Sequence, residues 1–486
     1  MEAISELDIK ARIARDNPWW DSPGYIAPEA ASPKRVYFEP FKSLALNYGV
    51  RRAAILLGPR RVGKTFLVKQ LIHTAIEEGV SRSHILYVSI DATIYAGLSF
   101  ERFISFMPPL SGEKTQRIVV FDEIQYRRDW EIELKDLVDN YPDIKFIASG
   151  SAAAALRLKS RESGAGRFSD FMLPPLTFYE FLLFLGEEET FIHMEQRLSQ
   201  EETPYQISDI DGLNARFIDY LNWGGYPEAV TNPQIRKNAE QFIKNDIIDK
   251  VLLNDLPSLY GITGIQELKT LFGFLAYNAG NEASLENICQ GSGINKPTIK
   301  RYIEYLESAF LIIKVSNVDD NCRTMTRERN FKVYLNNPSM RAAFFAPVEP
   351  SDTQRIGHLA ECAIFSQWQH STAFGNLRYA RWRNEGEVDI VFLDPGVQKP
   401  RWIGEIKWSD RIQDNEWDET RNLSALLRRH KTITGVFATS KTIKKEIELD
   451  GRTAKIHPSA AYCYIVGKNI SSYLGISAAP VVEPQR

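Results

Sequence analysis

The chain has 486 residues, 44% hydrophobic and 25% charged, with a net charge of −3. This is an ordinary globular composition with length for about three domains, and it excludes a chain-wide basic field, so any nucleic-acid contact must come from a local patch. The four cysteines, Cys289, Cys322, Cys362 and Cys463, are far apart, which argues for buried thiols in a reducing compartment over a zinc site or disulfide framework.

Residues 1–33, with "NPWW" at 17–20, carry no apolar signal segment and read as an N-terminal extension of unassigned role. The apolar stretch "LTFYEFLLFLG" is too short to span a bilayer. A cytoplasmic location with no membrane partner is expected.

Residues 34–155 read as a P-loop ATPase core. "AAILL", 53–57, is a strand, and "GPRRVGKT" matches G-x-x-x-x-G-K-[ST] at the start of a helix. In that context Gly58, Pro59, Arg60, Arg61, Val62, Gly63, Lys64, Thr65 and Phe66 are the expected ATP cradle. Backbone N–H groups and the helix N-terminus face the phosphates, and Lys64 reaches the β- and γ-phosphates. Thr65 offers its hydroxyl to Mg²⁺. "RIVVFDEIQ", 117–125, is a buried strand ending in two acids. Asp122 suits the Mg²⁺ shell, and Glu123 suits polarising the attacking water. Ser151, after the strand "KFIASG", is placed to sense the γ-phosphate or to make a simple turn. Arg167, in a glycine-flanked loop, reads either as a transition-state arginine, acting in cis or from a second copy, or as a plain surface residue.

"GPRRVGKT", "VVFDEIQ" with Trp130, "ASGSAA", "GRF…LPPLTFYEFL" and "LNWGGYPEAV" (221–230), in this order, resemble the bacterial and archaeal AAA-type (AAA_14) P-loop ATPases that carry a C-terminal DUF4143 region. The resemblance implies a multidomain α/β fold. Its parts are an AAA+-like doubly wound sheet, a helical lid (156–260), a winged helix (261–350) and a restriction-endonuclease-like α/β domain (351–475), ahead of a tail (476–486).

In 261–350, "ELKTLFGFLAYNAG", "ASLENICQGSG" and "NKPTIKRYIEYLESAFLI" have helical spacing. The third helix carries Lys296, Lys300 and Arg301. Two strands around a polar turn with Arg323, Arg327 and Arg329 follow. Phosphate contacts and protein–protein docking both fit this outline.

In 351–475, Glu361 lies on an amphipathic helix, Asp389 in "EVDIVFLD", and Glu405 and Lys407 in "GEIKW". Carboxylates on adjacent strands can hold Mg²⁺ or Mn²⁺ against a phosphodiester, and a lysine on the same face can stabilise the developing charge. The pattern resembles the PD-(D/E)xK nucleases. Glu361, Asp389 and Glu405 stand as metal ligands and Lys407 as the catalytic lysine, although Val388 replaces the motif's proline. The resulting reading is an ATP-gated nuclease, with antiviral defence as its biological setting. The alternative is a regulatory ATPase switch that binds DNA or a partner protein without cleaving. Nucleic acid, DNA ahead of RNA, is the expected partner, with a partner protein or a second copy of the chain as further ones.

Overall fold

Runs of apolar residues between turn signals become the parallel strands β1 (Ala53–Leu57), β2 (Ile85–Ser89), β3 (Arg117–Asp122), β4 (Ile144–Gly150) and β5 (Phe168–Met172). They lie in the order β2-β3-β4-β1-β5. The first four are buried on both faces, as continuous apolar runs require. The fold is that of a computed structural model describing residues 5–22, 24–109, 116–150, 166–194, 205–319, 321–322, 330–368, 375–382 and 386–473. Ser151, Arg323, Arg327 and Arg329 lie outside the described residues.

Two units divide the chain, Met1–Pro174 and Pro175–Arg486. The first extends past the boundary expected at residue 155, because β5 pairs with β1. It also takes in the N-terminal extension. Helix α1 (Glu6–Asp16) ends at Asn17, which is fully buried. The Asn17 side chain accepts from the Tyr87 N–H at 2.6 Å and donates to the Tyr87 carbonyl at 2.8 Å. Trp19 and Trp20 both donate their indole N–H to the Ile85 carbonyl, at 3.1 and 2.8 Å. "NPWW" thus satisfies the open side of edge strand β2, which would otherwise offer unpaired backbone groups.

In the second unit the stretch expected as a lid is mostly helical. It includes α2 (Phe178–Leu185), opened by a Thr177–Glu180 capping box, and α3 (Ile210–Trp223). Three helices follow, α4 (Ile265–Tyr277), α5 (Leu285–Ser292) and α6 (Lys296–Ser308). Interleaved with them are β6 (Glu282–Ser284), β7 (Ile312–Val318) and β8 (Asn330–Leu335), antiparallel in the order β6-β8-β7. Asn295 caps α6 through the Thr298 N–H, and Pro297 sits in its first turn.

The C-terminal part runs α7 (Thr353–Trp368), β9 (Leu377–Trp382), β10 (Gly386–Leu393), β11 (Pro400–Glu405), α8 (Glu416–Arg429) and β12 (Gly435–Ser440). It closes with β13 (Lys445–Leu449), β14 (Arg452–Pro458) and α9 (Ser459–Tyr473). β9, β10 and β11 are antiparallel neighbours, and β12 joins β11 in parallel. The segments expected as two domains, 261–350 and 351–475, share one sheet, since β7 pairs in parallel with β9 through Asn317–Tyr379 and Val318–Ala380. Trp402 is core, stacked on Phe392 at 5.2 Å.

Candidate functional site

The phosphate loop leaves the C-terminal end of β1. Gly58 is required there, because a Cβ would come within 2.1 Å of the Leu173 carbonyl oxygen. Arg61 and Gly63 take positive φ, 64° and 95°, which curls the backbone before the Lys64–Glu77 helix begins. Arg35 braces the loop from behind, donating to the Val62 carbonyl at 2.7 Å and the Pro174 carbonyl at 3.0 Å. Lys64 is buried, with its ammonium on the carbonyls of Gly58 (3.0 Å) and Pro59 (2.7 Å). The Arg61 and Phe66 side chains are exposed.

A side-chain contact joins loop and acidic strand. The Thr65 hydroxyl donates to Asp122 Oδ2 at 2.9 Å, although β4 lies between β1 and β3. Asp122 is buried and collects three further donors, the Tyr87 hydroxyl at 2.7 Å on Oδ2 and, on Oδ1, the Ser149 hydroxyl and the Glu123 N–H at 3.2 Å. The Tyr87 phenol is pushed far up, by burial first and then by the Asp122 charge, so it stays a donor. Glu123 adopts φ 55°, and its side chain accepts from the Gln125 amide. Tyr87, Ser149 and Gln125 were not expected. The available signal was a polar group at a strand end or inside an apolar strand, as in "YVSID".

Arg167 lies elsewhere. Its carbonyl accepts from Ala53 at the N-terminal ends of β1 and β5, and its guanidinium pairs with Asp139. The phosphate loop is at the opposite ends of those strands, about 17 Å away over five residues of strand. The expectation of an arginine acting in cis is therefore corrected. The strand rise separates it from the loop of its own chain.

The C-terminal residues Glu361, Asp389 and Glu405 are buried, and Lys407 is part-exposed. Helix α7 supplies Glu361, β10 supplies Asp389, and β11 ends at Glu405, with Lys407 two residues past its end. Lys407 Nζ lies 2.8 Å from Glu405 Oε1, and Asp389 Oδ2 accepts the Ile406 N–H at 2.9 Å. Thr439 bonds both backbone groups of Lys407 at 2.8 and 3.0 Å and holds that lysine in place.

At the centre is a residue the sequence reading missed. Lys332, on β8, is 2.9 Å from Glu361, 2.7 Å from Glu387 and 3.3 Å from Asp389. The Tyr334 hydroxyl also donates to Glu361. Lys332 and Tyr334 are two apart and share a strand face. A lysine inside the buried run "NFKVYL" was the available clue. Among the described residues no three carboxylate, histidine or cysteine side chains form a ready metal cage. The expected joint ligand set of Glu361, Asp389 and Glu405 is corrected in that respect, because an ammonium stands between Glu361 and Asp389.

Burial pushes Glu361 up to about 7 and Glu405 up to about 8, with Asp389's charge adding to both. Burial acts the same way on Asp389, but Lys332, then Lys407 and the Ile406 amide, outweigh it and hold Asp389 low. Lys332 is kept charged, since Glu361, Tyr334, Asp389 and Glu387 overcome its burial. Glu405 Oε2 is buried and has no hydrogen-bond partner among the described residues.

A family model described as "AAA domain" (AAA_14) matches residues 50–182, and one described as "Domain of unknown function (DUF8612)" matches 214–351. The second covers the stretch with "LNWGGYPEAV", where the resemblance implied DUF4143. An uncharacterized protein of Haemophilus influenzae is 27% identical over 274 residues, 54% of this chain and 62% of the relative. The uncharacterized protein MJ1544 of Methanocaldococcus jannaschii is 23% identical over 288 residues, 57% of this chain and 60% of the relative. The chain thus covers less than two thirds of these relatives' lengths. Among solved structures, the Walker-type ATPase PABY2304 of Pyrococcus abyssi has a TM-score of 0.40 at 17% identity, covering 63% of this chain and 95% of that one. AMPPCP-bound DnaA from Aquifex aeolicus has a TM-score of 0.25 at 14% identity, covering 59% and 90%. The family match and the loop geometry agree that the chain carries an AAA-type P-loop ATPase domain.

Proposed function

We propose that the chain hydrolyses ATP at the phosphate loop and carries a metal-dependent phosphodiesterase site in its C-terminal part. The observation that carries the first half is the Thr65–Asp122 contact, which puts a hydroxyl and a carboxylate together beside the loop. These two would hold Mg²⁺, and Lys64 would turn from the loop carbonyls to the phosphates. Glu123, held by Gln125, would orient the attacking water. Bound magnesium would neutralise charge on the phosphate oxygens.

The second half is supported by the orphaned Glu405 Oε2, a buried acceptor with Asp389 near it in charge terms and Lys407 on its partner oxygen. Asp389 and Glu405 would hold the metal, and Lys407 would stabilise charge on the phosphate. A divalent ion there polarises a phosphodiester and lowers the pKa of bound water. The order helix, three antiparallel strands, helix, parallel strand, with the acids on the first helix and on the second and third strands, supports the likeness to PD-(D/E)xK nucleases. The order β6-β8-β7 with α4, α5 and α6 supports a winged helix. Exposed Lys300 and Arg301 offer it phosphate contacts, whereas Lys296 is engaged by Glu286 at 2.6 Å. Conditional DNA cleavage, as in defence, is the biological form of this reading.

A second reading has its own observation. Lys332 fills the acidic centre, as expected of a switch protein whose C-terminal fold binds without cutting. Plasmid and ATP assays separate the two. Lys64→Ala and Glu123→Gln should each abolish ATP turnover, with Glu123→Gln still binding nucleotide. Asp389→Ala and Lys407→Ala should keep ATP turnover and lose Mn²⁺- or Mg²⁺-dependent cleavage. Full ATPase activity with no cleavage by the unmodified chain, with and without ATP, would favour the switch.

A further inference from the structure

In the inner C-terminal cluster four carboxylates, Glu361, Glu387, Asp389 and Glu405, lie with two lysines, Lys332 and Lys407. Arg381, 3.6 Å from Glu387, is itself matched by Glu282 at 3.3 Å. Both Asp389 oxygens are already engaged, Oδ1 by Lys332 and Oδ2 by the Ile406 amide, whereas Glu405 Oε2 has no hydrogen-bond partner among the described residues. A dication seated between Glu405 and Asp389 would face the Lys332 ammonium across the same carboxylate, and like charges that close in a buried setting repel strongly.

We propose that Lys332 is a built-in cation competing with the divalent metal for Asp389, and that metal binding expels its ammonium from the cluster. The inference rests on the metal reading above and adds the residue that regulates it. The element carrying Lys332 is anchored beside the cluster, with Tyr334 of β8 stacked on Phe365 of α7 at 4.4 Å, so it is the Lys332 side chain that would move.

The test is Mn²⁺ titration of the full chain without nucleotide, read by loss of the free-ion EPR signal. Lys332→Gln should bind at least tenfold more tightly than the unmodified chain. Lys332→Arg should stay near it, and Asp389→Asn should bind more weakly. A second readout needs no variant. Reductive methylation of Lys332, followed by mass spectrometry, should rise at least fivefold when Mn²⁺ is added to the unmodified chain. Asp389-dependent Mn²⁺ binding that Lys332→Gln does not tighten would overturn the competition and leave the metal reading standing. If Lys332→Gln does not fold, unchanged Lys332 methylation at saturating Mn²⁺ overturns the competition. Absence of Asp389-dependent Mn²⁺ binding in every chain overturns both.

Discussion

His457 on β14 shows how a single buried ring sets a pH limit. It is 8% exposed and stacked with Tyr462, and burial, aided by Lys444 and Lys455, lowers it from 6.5 to about 4. The folded chain therefore resists protonation that the unfolded chain accepts. Stability from this group is complete above pH 6.5 and falls as the pH drops toward 4, by about 3 kcal/mol in all. His457→Phe should remove that part of the acid sensitivity. Urea unfolding at pH 7 and pH 4.5 would show the variant losing about 2 kcal/mol less than the unmodified chain across that interval. Equal losses would mean that the imidazole is not held neutral.

At the level of elements, local chemistry was legible wherever the chain punctuated itself. The P-loop, the acid-ended strand and the Asn295–Pro297 helix start all stood where their residue types required, and the strand expected to carry "E-x-K" ends at its glutamate, Glu405. What escaped the reading depends on contacts distant in sequence. Tyr87 and Ser149 reach Asp122 from neighbouring strands, and Lys332 bonds Glu361 and Asp389, which lie 29 and 57 positions later. Nor does periodicity reveal that a β7–β9 pairing fuses two expected domains. The N-terminal "NPWW" was opaque for the same reason, since its partner is the open edge of β2. That contact carries a prediction. Asn17→Ala deletes a buried donor and acceptor serving Tyr87, leaving the Tyr87 backbone groups unsatisfied. It should destabilise the first unit by about 2–4 kcal/mol. Thermal unfolding would register this as a fall in Tm, and hydrogen exchange should rise first at β2. Unchanged exchange at Tyr87 would mean that the edge is covered without Asn17.

For the molecule as a whole, the position of Arg167 decides whether one copy of the chain can be catalytically sufficient. Its guanidinium belongs to the end of the sheet away from the loop and is paired with Asp139, both side chains being substantially exposed. Such a pair contributes at most about 1 kcal/mol, so Arg167→Ala should fold normally. A transition-state arginine, by contrast, is worth about a thousandfold or more in turnover. The two roles are far enough apart to be separated by one rate. With no second copy supplying the residue, ATP turnover of Arg167→Ala should stay within about twofold of the unmodified chain, a ratio worth about 0.4 kcal/mol. A loss of a hundredfold, with unfolding unchanged, would instead require the guanidinium to reach the phosphates of a neighbouring copy. Mixing Arg167→Ala with Glu123→Gln chains, which keep the arginine but lack the catalytic acid, would then restore turnover. Retained turnover leaves Arg167 a surface residue and makes the loop, Asp122 and Glu123 of one chain sufficient for hydrolysis.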